Sequence, residues 1–299
     1  MISGILPVDK PQGMTSHTVI SVLRRLTGIR KIGHSGTLDP MATGVLPLCV
    51  GRATRAADFV ADSPKQYVAE LTLGMETDTE DTTGNVLCTS EVRVTEAELR
   101  AVLSRFVGNI EQIPPMYSAL QKDGRRLYDF ARAGIIVERK PRPVSIYGLE
   151  LVRATGENRW ELKIDCSKGT YVRTLCADIG RELGCGGVMS ALRRTYCGGY
   201  SAEDAYTLDA LREICESGRF AEILRPTETA FPDLPDFRIA GIAEERFRHG
   251  APVYRRHLPE MPEEGVQMRI FGETDFLGLG RVKNGELWCE KSFCEIDEA

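Results

Sequence analysis

Two different apolar periodicities run along this chain of 299 residues, and their mixture constrains the fold more than any other feature. Tyr67, Ala69, Leu71 and Leu73 occupy every second position, which predicts a half-buried strand. Short apolar segments predict further strands at 43–51, 144–152 and 160–166. Helical spacing instead marks 16–28 with Ser16 as N-cap, 95–106 with a capping box at its start, and 169–184. Interspersed helices and strands of this kind predict an α+β fold.

Composition predicts an ordinary globular protein, with 42% hydrophobic and 27% charged residues. We find no run of about 18 apolar residues for a membrane span and no secretory signal, so we expect a cytoplasmic protein without membrane association. The nine cysteines form no C-x-x-C pair, and the four histidines lack metal-ligand spacing. We therefore expect reduced cysteines and no metal.

Proline-rich sequence near the C-terminus predicts a domain boundary. Pro226, Pro232 and Pro235 interrupt any regular pattern, so we expect one domain at 1–235 and a second at 236–299. Within the second, Asn284-Gly285 is a strong hairpin signal. The segment from about 113 to 143 has a Pro-Pro pair, a short helix and a basic exit, which predicts a projecting insertion.

Positive charge is concentrated in two segments although the whole chain has a net charge of −5. Residues 1–60 contain seven lysines or arginines against three acidic residues, and residues 119–145 contain the same numbers. Such segments suit a nucleic-acid backbone. Taken singly, each segment is better explained as an ordinary solvated face.

The stretch GHSGTLDPMATG, residues 33–44, presents a lone carboxylate, Asp39, between flexible glycines. Lys31, His34, Arg52 and Arg55 are close in sequence, so we expect a low pKa and a role as nucleophile or electrostatic partner. An Asx-type turn, in which the side chain only bonds its own backbone, is the alternative.

Three other side chains are candidates with structural alternatives of their own. Tyr67 and Tyr171 could stack on a nucleobase, or pack in the core. Arg173 could pair with a functional carboxylate, or form a weak surface ion pair.

Seven sequence blocks together resemble the bacterial tRNA pseudouridine-55 synthases, and the similarity runs nearly end to end. The blocks are VDKPQGMTS (8–16), GHSGTLDPMATGVLPLCVGRATR (33–55), KQY (65–67), PPMYSAL (114–120), RLYDFARAG (126–134), KGTYVRTL (168–175) and ALRR (191–194). The resemblance implies a pseudouridine synthase fold with a mixed, mainly antiparallel central sheet flanked by helices. It also implies a small C-terminal PUA-like β-barrel that contacts the acceptor arm of tRNA.

The same resemblance implies an isomerase that converts the T-loop uridine of tRNA to pseudouridine by base flipping, without a cofactor. It assigns the catalytic roles to Asp39, to Tyr67, which stacks on the base and accepts a proton, and to Arg173, which pairs with Asp39. His34, Tyr171, Leu192 and Arg55 would contact the substrate.

The resemblance further implies that the insertion grips the T loop and that the enzyme works as a monomer. Gln121 departs from the lysine that often follows the SAL triplet, which puts a phosphate contact there in doubt. Two alternatives stay open: a noncatalytic tRNA-binding or tRNA-folding protein, and a guide-RNA-dependent relative. The chain begins almost at VDKPQG, and we expect no guide RNA.

Overall fold

The computed structural model describes residues 2–122 and 124–294. The α-helices of this part are α1 (Ser16–Thr27), α2 (Ala57–Asp62), α3 (Glu96–Leu103), α4 (Leu127–Arg132), α5 (Val172–Glu182), α6 (Leu208–Glu216) and α7 (Ile242–Arg248). Short 3-10 helices span Gly51–Ala56, Ser104–Phe106, Phe220–Ile223, Thr227–Ala230 and Arg255–His257.

Strands make up the rest of the regular structure. They are β1 (Gly4–Lys10), β2 (Ile32–His34), β3 (Thr43–Val50), β4 (Lys65–Leu73), β5 (Met75–Thr77), β6 (Val86–Thr89), β7 (Gly108–Gln112), β8 (Gln121–Lys122), β9 (Arg125–Arg126), β10 (Arg142–Gly156), β11 (Arg159–Cys166), β12 (Gly187–Cys197), β13 (Tyr200–Ser201), β14 (Asp236–Arg238), β15 (Val253–Tyr254), β16 (Gln267–Phe271), β17 (Phe276–Lys283) and β18 (Glu286–Ser292).

A mixed sheet forms the centre of the molecule, in the order β1-β3-β12-β4-β11-β10-β7, with β2 beside β3 and β13 beside β12. Only the contact of β12 with β3 is parallel among the described strand pairs of this sheet. In β4, the residues that the alternation placed inward are all buried. The expectation of an α+β fold with a mixed, mainly antiparallel sheet is confirmed.

Strand register brings distant sequence blocks together at one end of this sheet. Arg194 on β12 lies opposite Gly44 on β3 and opposite Tyr67 on β4. Gly44 has a φ of 102°, and an added Cβ would lie 2.2 Å from the carbonyl oxygen of Arg194. The close approach of β3 to β12 therefore requires glycine here.

Helix α1 packs its apolar side on the sheet and ends at Gly28, as expected, but its N-cap is not Ser16. Thr15 accepts the capping hydrogen bond from the backbone N–H of Thr18. Ser16 is the first residue of the helix and is buried. Its hydroxyl donates to the carbonyl oxygen of Leu38 instead of capping the helix. Because Thr15 and Ser16 are adjacent and both can cap a helix, the sequence pattern did not show which of them is the N-cap.

A curled sheet of order β14-β16-β17-β18-β15 occupies the C-terminal part. It forms a half-barrel of the PUA-like type, where a PUA-like β-barrel was expected. Asn284 and Gly285 have φ values of 55° and 73° and connect β17 to β18, so the predicted hairpin is confirmed. Leu279 on β17 and Phe293, which follows β18, share a buried cluster with Ile5. The division into domains at residue 235 stays a prediction.

Two further expectations concern the whole chain. All nine cysteines lie among the described residues and are free, and most are buried. Among the described residues, no helix has both the length and the apolar character that crossing a membrane demands.

Candidate active site

A cleft of about 1090 Å³ lies where the Asp39 loop, β4, β12 and the start of α5 meet. Six of the seven predicted site residues line it, and these are His34, Asp39, Tyr67, Tyr171, Arg173 and Leu192. The 113–143 insertion covers one side through Tyr117, Arg126 and Tyr128. Sequence blocks that are separated by more than a hundred residues thus form one concave surface.

The loop that presents Asp39 joins β2 to β3 and is held by the VDKPQGMTS block. The Ser16 hydroxyl accepts a hydrogen bond from Leu38 N at 2.9 Å, and Gly13 N donates to Pro40 O at 2.7 Å. The fully buried Lys10 also donates to Pro40 O, at 3.4 Å. Asp39 is therefore flanked on both sides by backbone that the N-terminal segment fixes.

Arg173 forms the central contact of the cleft. Its Nε lies 2.9 Å from Asp39 Oδ2, and its terminal amino group donates to Asp39 Oδ1 at 3.4 Å. The same guanidinium donates to the carbonyl oxygens of Thr79 at 3.1 Å and Tyr117 at 2.9 Å. Arg173 is almost fully buried, so this ion pair is a built feature of the interior rather than a surface contact.

The pKa of Asp39 differs from the low value that its sequence neighbours suggested. Burial raises its pKa above the ordinary value, Arg173 lowers it, and Asp81 raises it. The expectation of a low pKa is wrong because desolvation outweighs the cations. The cations that act on Asp39 are also different ones, Arg173 and Lys10, since folding brings these two close.

Asp81 is the second carboxylate of the cleft and was not predicted. It is buried, and its Oδ2 lies 3.8 Å from Nη1 of Arg173. Its Oδ1 accepts hydrogen bonds from Thr79 Oγ1 at 2.8 Å and Thr83 N at 2.9 Å. The Asp-Thr-rich run DTEDTTG, residues 78–84, was the available signal. Arg173 thus contacts two carboxylates, one held by its own turn and one open to the cleft.

Tyr67 and Leu192 form the apolar wall of the cleft, from adjacent strands β4 and β12. Both side chains are buried. Burial raises the pKa of Tyr67 to about 12, although the guanidinium of Arg194 lowers it. Tyr67 is therefore a neutral phenol at neutral pH.

Tyr171 and His34 also line the cleft, and both are partly exposed. Tyr171 is the N-cap of α5 and is half-buried, and burial raises its pKa. Burial also lowers the pKa of His34, with Arg194 and His17 acting in the same direction, so its ring is neutral at neutral pH. The buried Nδ1 of His34 has no hydrogen-bond partner among the described residues.

The insertion contributes a cationic aromatic cluster. The guanidinium carbons of Arg126 and Arg132 lie 5.7 Å and 5.3 Å from the centroid of the Tyr128 ring. Gln121 is exposed, and Lys122 donates to the carbonyl of Glu138 at 2.9 Å. The Lys122 ammonium is thus engaged with the insertion itself.

Arg55 is the predicted site residue that does not line the cleft. Its guanidinium donates to the carbonyl of Ser292 at 2.8 Å, on the C-terminal sheet. The substrate contact expected for Arg55 stays a prediction. Among the described residues, no three His, Cys, Asp or Glu side chains converge as a metal-binding group.

Comparison with protein families and curated relatives agrees with this arrangement. Residues 24–172 match the TruB family pseudouridylate synthase (N terminal domain), and residues 173–232 match the tRNA pseudouridylate synthase B C-terminal domain. A tRNA pseudouridine synthase B of Aromatoleum aromaticum is 44% identical over 288 residues, which cover 96% of this chain and 91% of the relative. One of Halalkalibacterium halodurans is 48% identical over 281 residues, 90% of this chain and 92% of the relative.

Solved structures show the same fold. The chain superimposes on a chain of a Cbf5-Nop10-Gar1 complex with a TM-score of 0.74 and 27% identity, covering 97% of this chain and 85% of the other. A chain of an H/ACA RNP bound to a substrate RNA containing 2'-deoxyuridine gives a TM-score of 0.73 and 26% identity, covering 98% and 86%. With the relatives above, these similarities show that the chain belongs to the TruB family of pseudouridylate synthases, enzymes that isomerise uridine in RNA.

Proposed function

We propose that this enzyme isomerises uridine 55, in the T loop of tRNA, to pseudouridine, with Asp39 as the catalytic group. The observation that supports this most is the ion pair between Asp39 and the buried Arg173, in a cleft large enough for a nucleoside. The curated relatives named above act on tRNA by their names, and they are more similar to this chain than the H/ACA proteins are.

Substrate binding begins with extrusion of the uridine from its stack, which costs a few kcal/mol. Stacking on an aromatic ring returns about 1 to 3 kcal/mol per base. Tyr67 supplies such a surface at the inner wall, Tyr171 a second one, and Leu192 closes the apolar side. The neutral His34 would contact the loop where the base leaves its stack.

The reaction breaks the C1′–N1 bond of uridine and forms a C1′–C5 bond. The base takes the glycosidic electron pair, turns within the cleft, and loses the C5 proton after the new bond forms, while N1 gains a proton. Atoms and electrons balance without an oxidant, a reductant or an activated donor. Asp39 would attack C1′, attack C6, or assist elimination across the sugar, and each route uses the ionised carboxylate.

Arg173 supports the ionised form of Asp39. Burial raises the pKa of Asp39 and so favours the protonated carboxyl. The positive guanidinium of Arg173, 2.9 Å from the carboxylate, opposes this protonation. Tyr67 holds its proton more tightly than a free phenol, with a pKa of about 12. We therefore assign base stacking to Tyr67 as its main role. Tyr67 accepts the C5 proton only if its phenol has first been deprotonated, and the phenolate then needs a positive charge beside it.

Three surfaces would bind the rest of the RNA. The arginines around Tyr128 are placed to contact T-loop phosphates at the rim of the cleft. The PUA-like sheet would reach the acceptor arm, and Arg55 would approach the RNA at the junction with that sheet. We propose that one protein chain in the cytoplasm suffices, with residues 1–235 as catalytic domain and 236–299 as RNA-binding domain.

Incubation of the purified protein with unmodified tRNA tests the substrate assignment. Pseudouridine mapping is expected to show one new pseudouridine, at position 55, without added guide RNA. A tRNA with cytidine at position 55 is the matched control and should gain none. Conversion only in the presence of a guide RNA would contradict the proposal, and so would conversion at another uridine. A protein that only bound or folded tRNA would give no product.

A further inference from the structure

Gln112, the last residue of β7, makes two hydrogen bonds to one residue of the active site. Its Oε1 accepts from the backbone N–H of Tyr171 at 3.0 Å, and its Nε2 donates to the carbonyl oxygen of Tyr171 at 3.2 Å. The residue is 1% exposed, although the rest of β7 is largely exposed. The carboxamide thus binds Tyr171 as a neighbouring β-strand would, from a strand 59 positions away in sequence.

Tyr171 is the residue at which the chain enters α5, and Arg173 follows two positions later. The side chain of Tyr171 makes no capping hydrogen bond to this helix. The Tyr171 carbonyl accepts from Leu175 N at 3.0 Å as well as from Gln112. Gln112 therefore fixes the backbone at the point that sets the direction of both the Tyr171 ring and the Arg173 side chain.

We infer that Gln112 is a positioning residue for the isomerisation, which holds the Tyr171–Arg173 segment so that the guanidinium meets Asp39. Gln112 does not line the cleft, so it acts through Tyr171 rather than on the RNA. The inference rests on the proposed roles of Asp39 and Arg173.

A glutamine suits this task because its side-chain amide offers both a donor and an acceptor in a fixed plane. Glutamate has the same shape, but its second oxygen would face the Tyr171 carbonyl and place a negative charge in the interior. Methionine has a similar length but leaves the Tyr171 N–H without this partner. Both variants disrupt the paired hydrogen bonds while nearly preserving volume.

The test measures single-turnover rates and tRNA dissociation constants for Gln112→Met and Gln112→Glu, with rates normalised to folded enzyme. We expect at least about a tenfold loss of the rate constant at saturating enzyme, since small misplacements of catalytic groups are costly, with tRNA affinity within about twofold of wild type by the same reasoning. Asn109→Ala is the matched control. Asn109 lies on the same strand, and its amide oxygen accepts from Ser145 Oγ at 2.7 Å, away from the site.

The pH profile separates positioning from a loss of folding. Arg173 and Lys10 lower the pKa of Asp39, and burial and Asp81 raise it, so a displaced Arg173 should move the acid limb of the rate to higher pH. Wild-type rates and an unchanged acid limb in the folded variants would overturn the inference, and so would a loss confined to stability or tRNA affinity. An inactive Asp39→Asn beside Gln112 variants of wild-type activity would overturn this inference alone. A fully active Asp39→Asn would overturn the proposed function.

Discussion

At the scale of single residues, Asp39 is subject to two opposing effects. Burial raises its pKa, and Arg173 lowers it more than Lys10 does, so the ionised carboxylate depends mainly on an arginine that folding supplies from 134 positions away. The guanidinium is in turn oriented by the carbonyls of Thr79 and Tyr117. A lysine could supply the charge but not the forked set of donors.

Arg173→Lys should therefore lower the single-turnover rate constant by at least about 10²-fold, a typical loss for a group that stabilises charge in a catalytic site. The acid limb of the pH profile should also move to higher pH. The sign follows because a weaker cation leaves the effect of burial on the pKa of Asp39 less opposed, so less carboxylate is ionised at a given pH. Arg181→Lys, on the exposed side of the same helix, should change neither quantity. Equal rates in the two variants would contradict the role of Arg173.

At the scale of secondary-structure elements, the position of α5 against β12 decides where Arg173 lies. Gly180 on α5 contacts the backbone of Gly187, and an added Cβ would lie 2.1 Å from Gly187 N. Gly180→Ala should therefore lower the free energy of unfolding by about 1 to 3 kcal/mol, the usual cost of overpacking, and reduce activity as the helix shifts. Gly156→Ala is the control, because an added Cβ there would lie 3.8 Å from its nearest neighbour, the Cδ of Arg159. Denaturant titration of the two variants and of wild type measures the change in stability. Equal midpoints would show that the α5–β12 contact accommodates the added methyl group without loss of stability.

The C-terminal sheet contains an ion network whose contribution depends on pH. Burial raises the pKa of Glu290, but hydrogen bonds from Arg281, Lys283 and Gln267 lower it to about 2. The unfolded chain should have a glutamate pKa of about 4.3, so this stabilisation is present above that pH and is lost as the pH falls toward 2.

Glu290→Gln should accordingly lower the free energy of unfolding at pH 7 by about 1 kcal/mol, a value reduced for solvent screening. The difference from wild type should shrink at pH 3. Denaturant titrations at the two pH values measure it, with Glu286→Gln on the same strand for comparison. A difference that grows on acidification would show that the sign is wrong.

At the scale of the whole molecule, local patterns predicted elements well and their assembly less well. The alternation from Tyr67 to Leu73 and the turn at Asn284-Gly285 depend on neighbouring residues, and both were predicted correctly. Asp81 and Gln112 were missed because their contacts, with Arg173 and Tyr171 at the start of α5, form only when segments far apart in sequence meet. The sign of the Asp39 pKa shift was missed for the same reason, since desolvation is a property of the folded chain.

The resemblance of the sequence blocks identified the cleft residues more completely than any periodicity did. It grouped His34, Tyr171 and Leu192 as substrate contacts although they are far apart in sequence, and the cleft contains all three. It grouped Arg55 with them as well; the Arg55 guanidinium contacts the carbonyl of Ser292 on the C-terminal sheet, and its contact with the substrate stays a prediction. Arg55 belongs to a short 3-10 helix that follows β3, and only tertiary packing reveals which surface it faces.

We propose that the Asp39 carboxylate performs the isomerisation while other parts of the protein bind the RNA. Single-turnover formation of pseudouridine 55 by Asp39→Asn, with tRNA binding measured on the same sample, tests this role. Asp178→Asn is the control, because Asp178 also pairs with an arginine, at 2.6 Å, outside the cleft. We predict no product from Asp39→Asn with wild-type binding, and full activity from Asp178→Asn. Product formation by Asp39→Asn at the wild-type rate would contradict this role of Asp39.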